Sequence, residues 1–445
     1  MNFIFTENLY FSILSVVMKI DVSQYNYEVI GGSCLCSVIN SYGYEAYLVG
    51  GCVRDIIMYT LGMVDNANIH DVDIATNMPI EMLKAKFKTA SNNGEVHGTI
   101  LVKWNDIYFE TTQFRTDGAY TDGRHPDSIT FTESFKEDMA RRDFTINAMG
   151  IDADGNVIDY HNGIKCLEDK VLSTVGDPAE RFEEDALRII RAYRFASRFK
   201  MTIPNDVREA IRKTKYKLAN IAMERVFDEI KKCMNYGYSE LAEMIDHMVT
   251  DGIFQIIDPK GYINAVKARN LISGRAIRKN NNMGEFFTDL GSLVCMLWES
   301  DLRNAYQHYK MENETFKCAQ WCFNHLDKFQ DFGHDIVAEV DMVNNKFFNQ
   351  LQELADAVTG YRVREDLLAR TIKVAKISAP FNHVLSEAVA ECGYQGPKFG
   401  RMLTEVRRWH YLNIFSSLVI ADEYKYETES ELKANAIGYI KHIAW

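Results

Sequence analysis

Apolar positions along this chain follow two different periods. Up to about residue 160, short runs rich in Val, Ile, Tyr and Phe are separated by Gly, Asp and Asn: AYLVGG, DVDIAT, GTILVKW, IYFETTQF, SITF and NVIDY. Such runs, bounded by turn formers, predict strands. Together they predict one mixed sheet with a few helices, the first starting at Val53. Beyond GDPAERFEEDALRIIRAYRF the alternation thins out, and apolar residues recur at helical spacing to residue 445. The prediction is an α/β head followed by a long all-helical part. Weaker punctuation at IDPKGYIN, RKNNNMGE and CGYQGPKFG divides the helical part further.

A chain of 445 residues exceeds the usual size of one core, so two to four domains are expected. Nine irregularly spaced cysteines, with no secretory start, predict reduced thiols in a cytoplasmic protein rather than a disulfide framework. The apolar first eighteen residues carry Glu7, lack a basic start and are too short to span a bilayer. We read them as a packed or frayed arm and expect no membrane partner. The net charge of -12 repels nucleic acid, so an RNA partner requires a local basic patch.

Candidate chemistry concentrates in the head. In HDVDI, Asp71 and Asp73 are two residues apart, which on a strand puts both carboxylates on one face about 7 Å apart. Paired carboxylates repel unless a cation lies between them, and hard oxygen ligands suit Mg²⁺. Upstream, Gly50 and Gly51 precede a helix whose free N–H groups form an anion site, and Arg54 adds a fork for phosphate oxygens. Asp55 either orients Arg54 or caps the helix. No GxxxxGK occurs, which excludes a Walker loop. Glu110 in IYFETTQF alternates with Tyr108 and Thr112 and reads either as a third carboxylate for the same site or as a structural residue of the strand. Two Mg²⁺ ions on such carboxylates suit nucleotidyl transfer.

The motifs LVGGCVRD, HDVDIAT, GEVHGTILV, FRTDGAYTDGRHPDSITF, DMARRDFTINAMG, EEDALRIIRAYRFASRF and MERVFDEI follow one another in the order and at the spacing of a known family. Residues 44 to 235 resemble the class II tRNA nucleotidyltransferases, the bacterial-type CCA-adding enzymes and their poly(A) polymerase relatives; GYQGPKFGRML is similar to the family's tail segment. The resemblance implies an α+β fold. Its parts are a nucleotidyltransferase α/β head with a mixed sheet (1–155), then an elongated all-helical neck carrying the base template (156–235), a helical body (236–330) and a tRNA-binding tail (331–445). It implies Mg²⁺ on Asp71 and Asp73, with Glu110 beside them, and CTP and ATP as substrates. RRDFTINA becomes the ribose motif, with Asp143 accepting from ribose hydroxyls and Arg142 and Asn147 supporting sugar and phosphates. Glu184, Asp185 and Arg188 match E-D-x-x-R, and Arg191 lies on the same basic helix.

At i, i+3, Asp185 and Arg188 are expected on one helix face. A carboxylate accepts from the amino group shared by cytosine and adenine, and a guanidinium donates to the neighbouring ring nitrogen. The H-G-T of GEVHGTILV favours CCA addition over polyadenylation, and the full-size loop 116–128 with Asp122 and Arg124 favours CCA over CC-only addition. A poly(A) polymerase, a CC-only or A-only enzyme and a silent tRNA-binding module remain the alternatives. Cys166 and Ser173 stand where the family carries Asp and Arg. The required basic patch is read at 259–284, with Lys267, Arg269, Arg275 and Arg278, and at 398–410, with Lys398, Arg401, Arg407 and Arg408. These residues are expected to meet phosphates of the tRNA acceptor and TΨC arm. Cys318, Cys322 and His325 share a helix face but read as core rather than zinc ligands, and His334–Asp335 has no partners for a metal site.

Overall fold

The computed structural model describes residues 18–65, 69–90, 95–118, 128–261, 302–310, 313–359, 363–421 and 428–443. The loop residues Asp122 and Arg124, and the basic residues Lys267, Arg269, Arg275 and Arg278, lie outside the described residues. The chain divides into two compact units, residues 1–236 with 243–259 and residues 237–242 with 260–445.

In the first unit, β1 (Ala46–Val49), β2 (Asp73–Thr76), β3 (Lys88–Ala90), β4 (Thr99–Trp104), β5 (Ile107–Gln113), β8 (Met149–Ile151) and β9 (Val157–Asp159) form a sheet in the order β3-β4-β5-β2-β1-β8-β9. Only β2 and β5 run parallel, so the sheet is mixed as expected. A separate ribbon pairs β6 (Arg115–Asp117) with β7 (Ile129–Phe131).

The first helix of the head is not the one starting near Val53. It is α1, Tyr27–Ser41, which carries Gly31 and Gly32 in its middle. Glycines lower helix propensity and hide such a segment from pattern reading. Here they let the helix lie against the sheet: a Cβ at Gly32 would stand 2.9 Å from Val72 and 3.0 Å from Leu48, and one at Gly31 3.1 Å from Phe109. The expected helix follows β1 as α2, Gly51–Thr60, and α3, Ile80–Lys86, follows β2. The opposite sheet face is covered by α4 (Phe135–Ala140), whose Phe135 and Met139 pack with Val49, Ala75 and Phe114. Tyr47 stacks on Phe135 at 4.0 Å between ring centroids.

Beyond the sheet come α5 (Gly163–Glu168), α6 (Pro178–Glu184), α7 (Leu187–Phe199), α8 (Asn205–Thr214) and α9 (Met223–Met234). Asp159 caps α5, accepting from the N–H groups of Gly163 and Ile164 at 2.9 Å each. In the second unit, helix Gly396–Ala421 contributes Val406 to one core with Leu385, Leu432 and Ile440, and Tyr411, Ile414 and Leu418 to another with Val340 and Val374. No helix of the described residues is long and apolar enough to cross a membrane.

Candidate functional site

Asp73 opens β2, and strand register sets it beside Val49 on β1 and Glu110 on β5. Gly50, directly after Val49, has φ 77°, a region that favours glycine. A Cβ there would stand 3.4 Å from Arg142 Nη1 and 3.5 Å from Asp73 Oδ2, so the turn brings bare backbone up to both charges. Burial, and then the negative charge of Glu110, push the Asp73 carboxyl up to about 6, with Asp71 adding to the rise and Arg142 opposing it.

Asp71 is not on the strand. It precedes β2 with φ 57°, and a left-handed residue breaks the alternation on which the same-face expectation for Asp71 and Asp73 rested. The carboxylate that strand geometry does set beside Asp73 is Glu110, exposed on the same side of β5 as Tyr108 and Thr112. Among the described residues no three His, Cys, Asp or Glu side chains form a metal-holding group. One or two carboxylates, with remaining positions left to water and phosphate, is nonetheless the donor set Mg²⁺ takes.

Arg54 is 4% exposed, on the first turn of α2. Its Nε donates to Asp55 Oδ1 at 2.8 Å and its Nη1 to Asn147 Oδ1 at 2.6 Å. Asp55 therefore orients Arg54, and Arg198 reaches the other Asp55 oxygen at 3.4 Å. The Arg54 guanidinium also lies over the rings of Phe199 and Phe195, at 4.6 and 5.6 Å.

Asp143 sits in the turn between α4 and β8. Its Oδ1 accepts from the Phe144 N–H at 2.8 Å and Asn147 Nδ2 at 3.2 Å, and its Oδ2 from Arg191 Nη2 at 2.7 Å and Nε at 2.9 Å. Burial alone would raise this carboxyl, but Arg191 and the hydrogen bonds outweigh it and hold it at about 2. A carboxyl depressed on folding contributes stability above its unfolded value, and that contribution disappears as pH falls through the folded one. Asp143→Asn is therefore expected to lower unfolding free energy by about 2 kcal/mol at pH 7, the gap to wild type closing between about pH 4 and pH 2 in denaturant titrations.

The template residues depart from expectation. The helix breaks at Asp185, which has extended backbone (φ -141°, ψ 103°) between α6 and α7, so Asp185 and Arg188 do not share one helix face. Asp185 Oδ1 accepts from the Leu187 N–H at 3.0 Å, which favours ending one helix and starting the next. Its Oδ2 pairs with Arg225 at 3.0 Å. Arg188 pairs with Glu184 at 2.5 Å and donates to the Arg181 and Arg141 carbonyls at 3.1 and 3.3 Å.

These residues line one cavity of about 740 Å³, which includes Gly50, Gly51, Arg54, Asp73, Arg142, Asp143, Asn147, Asp185, Arg188 and Arg191. Ten Arg and Lys side chains face it against four Asp, in a chain of net charge -12. The described residues thus concentrate positive charge in the head, as an anionic ligand requires. Sequence reading missed Arg194, Arg198, Arg225 and Lys232; the steps Arg188–Arg191–Arg194–Arg198 along α7 are three or four residues, a helical stripe that was the available signal. Glu229, 2% exposed, holds Arg194 at 2.6 Å, Lys232 at 2.9 Å and Arg191 at 3.7 Å. Glu229→Ala strands the buried Arg194, and chemical denaturation should register a loss of about 3 kcal/mol or more.

In the second unit, Lys398 and Arg401 are exposed on helix Gly396–Ala421. Arg407 and Arg408 are engaged, the first with Asp341 at 2.5 Å and the second with Asp335 at 3.4 Å. Asp335 caps helix Ile336–Val343, and Cys318 and Cys322 are buried, while His325 is bonded to the Trp321 carbonyl at 2.8 Å.

Residues 46–173 match the family model described as the poly(A) polymerase head domain, and residues 200–261 the one described as a probable RNA and SrmB-binding site of polymerase A. The CCA-adding enzyme of Limosilactobacillus reuteri is 42% identical over 217 residues, 49% of this chain and 52% of that protein. Over residues 46–173 and 200–261 the chain is similar to the CCA-adding enzyme and poly(A) polymerase family. Another of its members, the CCA-adding enzyme of Bacillus subtilis, is 44% identical over 192 residues, 43% of this chain and 47% of that protein. The chain spans about half the length of these curated relatives. Among solved structures of the family, the Bacillus stearothermophilus CCA-adding enzyme in complex with CTP has a similar fold, with TM-score 0.71 at 24% identity over 94% of this chain and 99% of that one. The Thermotoga maritima CCA-adding enzyme complexed with tRNA follows, with TM-score 0.57 at 17% identity over 95% and 99%.

Proposed function

We propose that this protein is a cytoplasmic CCA tRNA nucleotidyltransferase, adding C, C and A to tRNA 3′ ends from CTP and ATP with release of pyrophosphate and without a nucleic-acid template. One observation carries the reading: Asp73, which strand register sets beside Glu110, and the Gly50 turn line the same cation-rich cavity as Asp185 and Arg188. The matches to the two family models and the CCA-adding names of the relatives support it further.

In this reading Asp71 and Asp73 hold Mg²⁺, with Glu110 alongside. When bound, Mg²⁺ would lower the charge cost of bringing a hydroxyl and a triphosphate together and stabilise departing pyrophosphate. The chain's own groups do the positioning. The N–H groups of Gly50 and Gly51, the oriented Arg54 guanidinium and Arg142 receive the triphosphate. Asp143 and Asn147 take the ribose hydroxyls, which requires Arg191 to yield part of its hold on Asp143. Asp185 accepts from the amino group of cytosine or adenine, and Arg188 donates to the adjacent ring nitrogen; uracil and guanine present a keto oxygen to the same carboxylate. Glu184 holds Arg188 in place. Lys398 and Arg401 contribute phosphate contacts in the tail.

Purified protein incubated with tRNA lacking its CCA end and one labelled NTP at a time tests this. CTP and ATP incorporation that ends after three additions is the expected result. Long tails from ATP alone would identify a poly(A) polymerase, and no incorporation would leave only a tRNA-binding module.

A further inference from the structure

The carboxylate pair does not account for what lies beside it on the sheet. The face opposite α1 is covered by Phe135 and Met139 at Tyr47, Val49 and Ala75, over β1 and β2. Towards β4 and the start of β5 the same face carries side chains that reach solvent. Register places Glu110 opposite Leu101 and, two residues earlier, Tyr108 opposite Lys103, which in turn pairs with Lys88 on β3. Directly opposed residues share a face, so Lys88, Lys103 and Tyr108 form a row next to the one that holds Glu110 and Asp73. The two rows are separated by two residues of strand, about 7 Å.

Tyr108 is 46% exposed in the middle of a strand whose next residue, Phe109, is 1% exposed. Lys88 is exposed, and Lys103 pairs with the largely exposed Asp106, at 2.6 Å. A solvent-side pair of this kind contributes little and yields readily to a phosphate. An open ring flanked by lysines on a sheet surface is the arrangement on which single-stranded bases stack, with the cations tracking the backbone.

We propose that Tyr108, with Lys88 and Lys103, forms the platform for the single-stranded 3′ end of the RNA primer. The ring stacks on a base near the terminus, and the lysines meet its phosphates while the terminal hydroxyl lies at the Asp73–Glu110 row. Stacking tolerates any base, which suits a primer end whose identity changes with each addition. The platform rests on the nucleotidyl-transfer reading above.

Steady-state kinetics with tRNA lacking CCA separate the two. Tyr108→Ala should raise KM for tRNA about tenfold while KM for CTP changes less than about twofold, and Tyr108→Phe should restore the tRNA value. Lys88→Glu should raise KM for tRNA in the same direction and lower the salt slope of tRNA binding by about one. An unchanged tRNA KM in Tyr108→Ala overturns the platform, as does an equal rise for tRNA and CTP, or equal loss in the Ala and Phe variants. Wild-type protein that binds tRNA but transfers no nucleotide overturns the transfer reading instead. The platform is then judged by the same variants in tRNA affinity, where equal binding by wild type and Tyr108→Ala overturns it.

Discussion

Asp73→Asn is expected to lower nucleotide incorporation by at least about 1,000-fold, the scale of removing charge stabilisation worth several kcal/mol from a phosphoryl-transfer transition state. The substitution keeps the shape of the side chain and its register between Val49 and Glu110. It removes the negative charge that burial and Glu110 already disfavour, since the Asp73 carboxyl is pushed up to about 6. A carboxyl raised on folding costs stability as pH climbs from its unfolded value to about 6, and the full cost is present above that, so the variant should melt at or above the wild-type temperature at pH 8. Loss of activity with retained or increased stability is the mark of a residue kept for chemistry rather than for folding. Calorimetry alongside the incorporation assay checks both halves, and tRNA affinity should be unchanged. An inactive variant that is also unstable would make Asp73 a structural residue.

Asp185→Asn should change which base enters. The Oδ1 that accepts from the Leu187 N–H survives the substitution, so the break between α6 and α7 is kept. The second oxygen, now beside Arg225 at 3.0 Å, becomes an amide donor. A donor in that position suits the keto oxygen of uracil. The ratio of kcat/KM for CTP to that for UTP is expected to fall by about 10- to 100-fold, the worth of one well-placed base contact. A uniform loss for all four nucleotides, with the ratio preserved, would remove Asp185 from base recognition. In the proposed reaction the base would displace Arg225 from Asp185, while Glu184 keeps its pair with Arg188.

The legible part of the head was the part written in short-range pattern. Glycines after an apolar run, alternation along IYFETTQF and the switch to helical period near residue 178 all correspond to observed elements. What failed did so for local backbone reasons. Asp71 is left-handed, so the alternation argument could not cross it, and Asp185 is extended, so the i, i+3 argument could not either. The glycines inside α1 masked a helix whose stability comes from packing on Phe109, Val72 and Leu48 rather than from propensity. Tertiary pairings lay out of reach altogether. Nothing in the sequence sets Arg191 on Asp143, 48 residues away, or Arg54 on Asn147, 93 residues away. The cavity's cations were visible as residues but not as a site, because their convergence requires α2, α7, α9 and the Asp143 turn in place.

In the proposed function one cavity selects C and A and hands them to a tRNA end. Intact-mass spectrometry of tRNA lacking its CCA, after incubation with this protein, Mg²⁺ and all four nucleoside triphosphates, tests it most directly. A single product heavier by two cytidylate residues and one adenylate residue is the expected result. A product of adenylate alone, any incorporated uridylate or guanylate, or unchanged tRNA would contradict it.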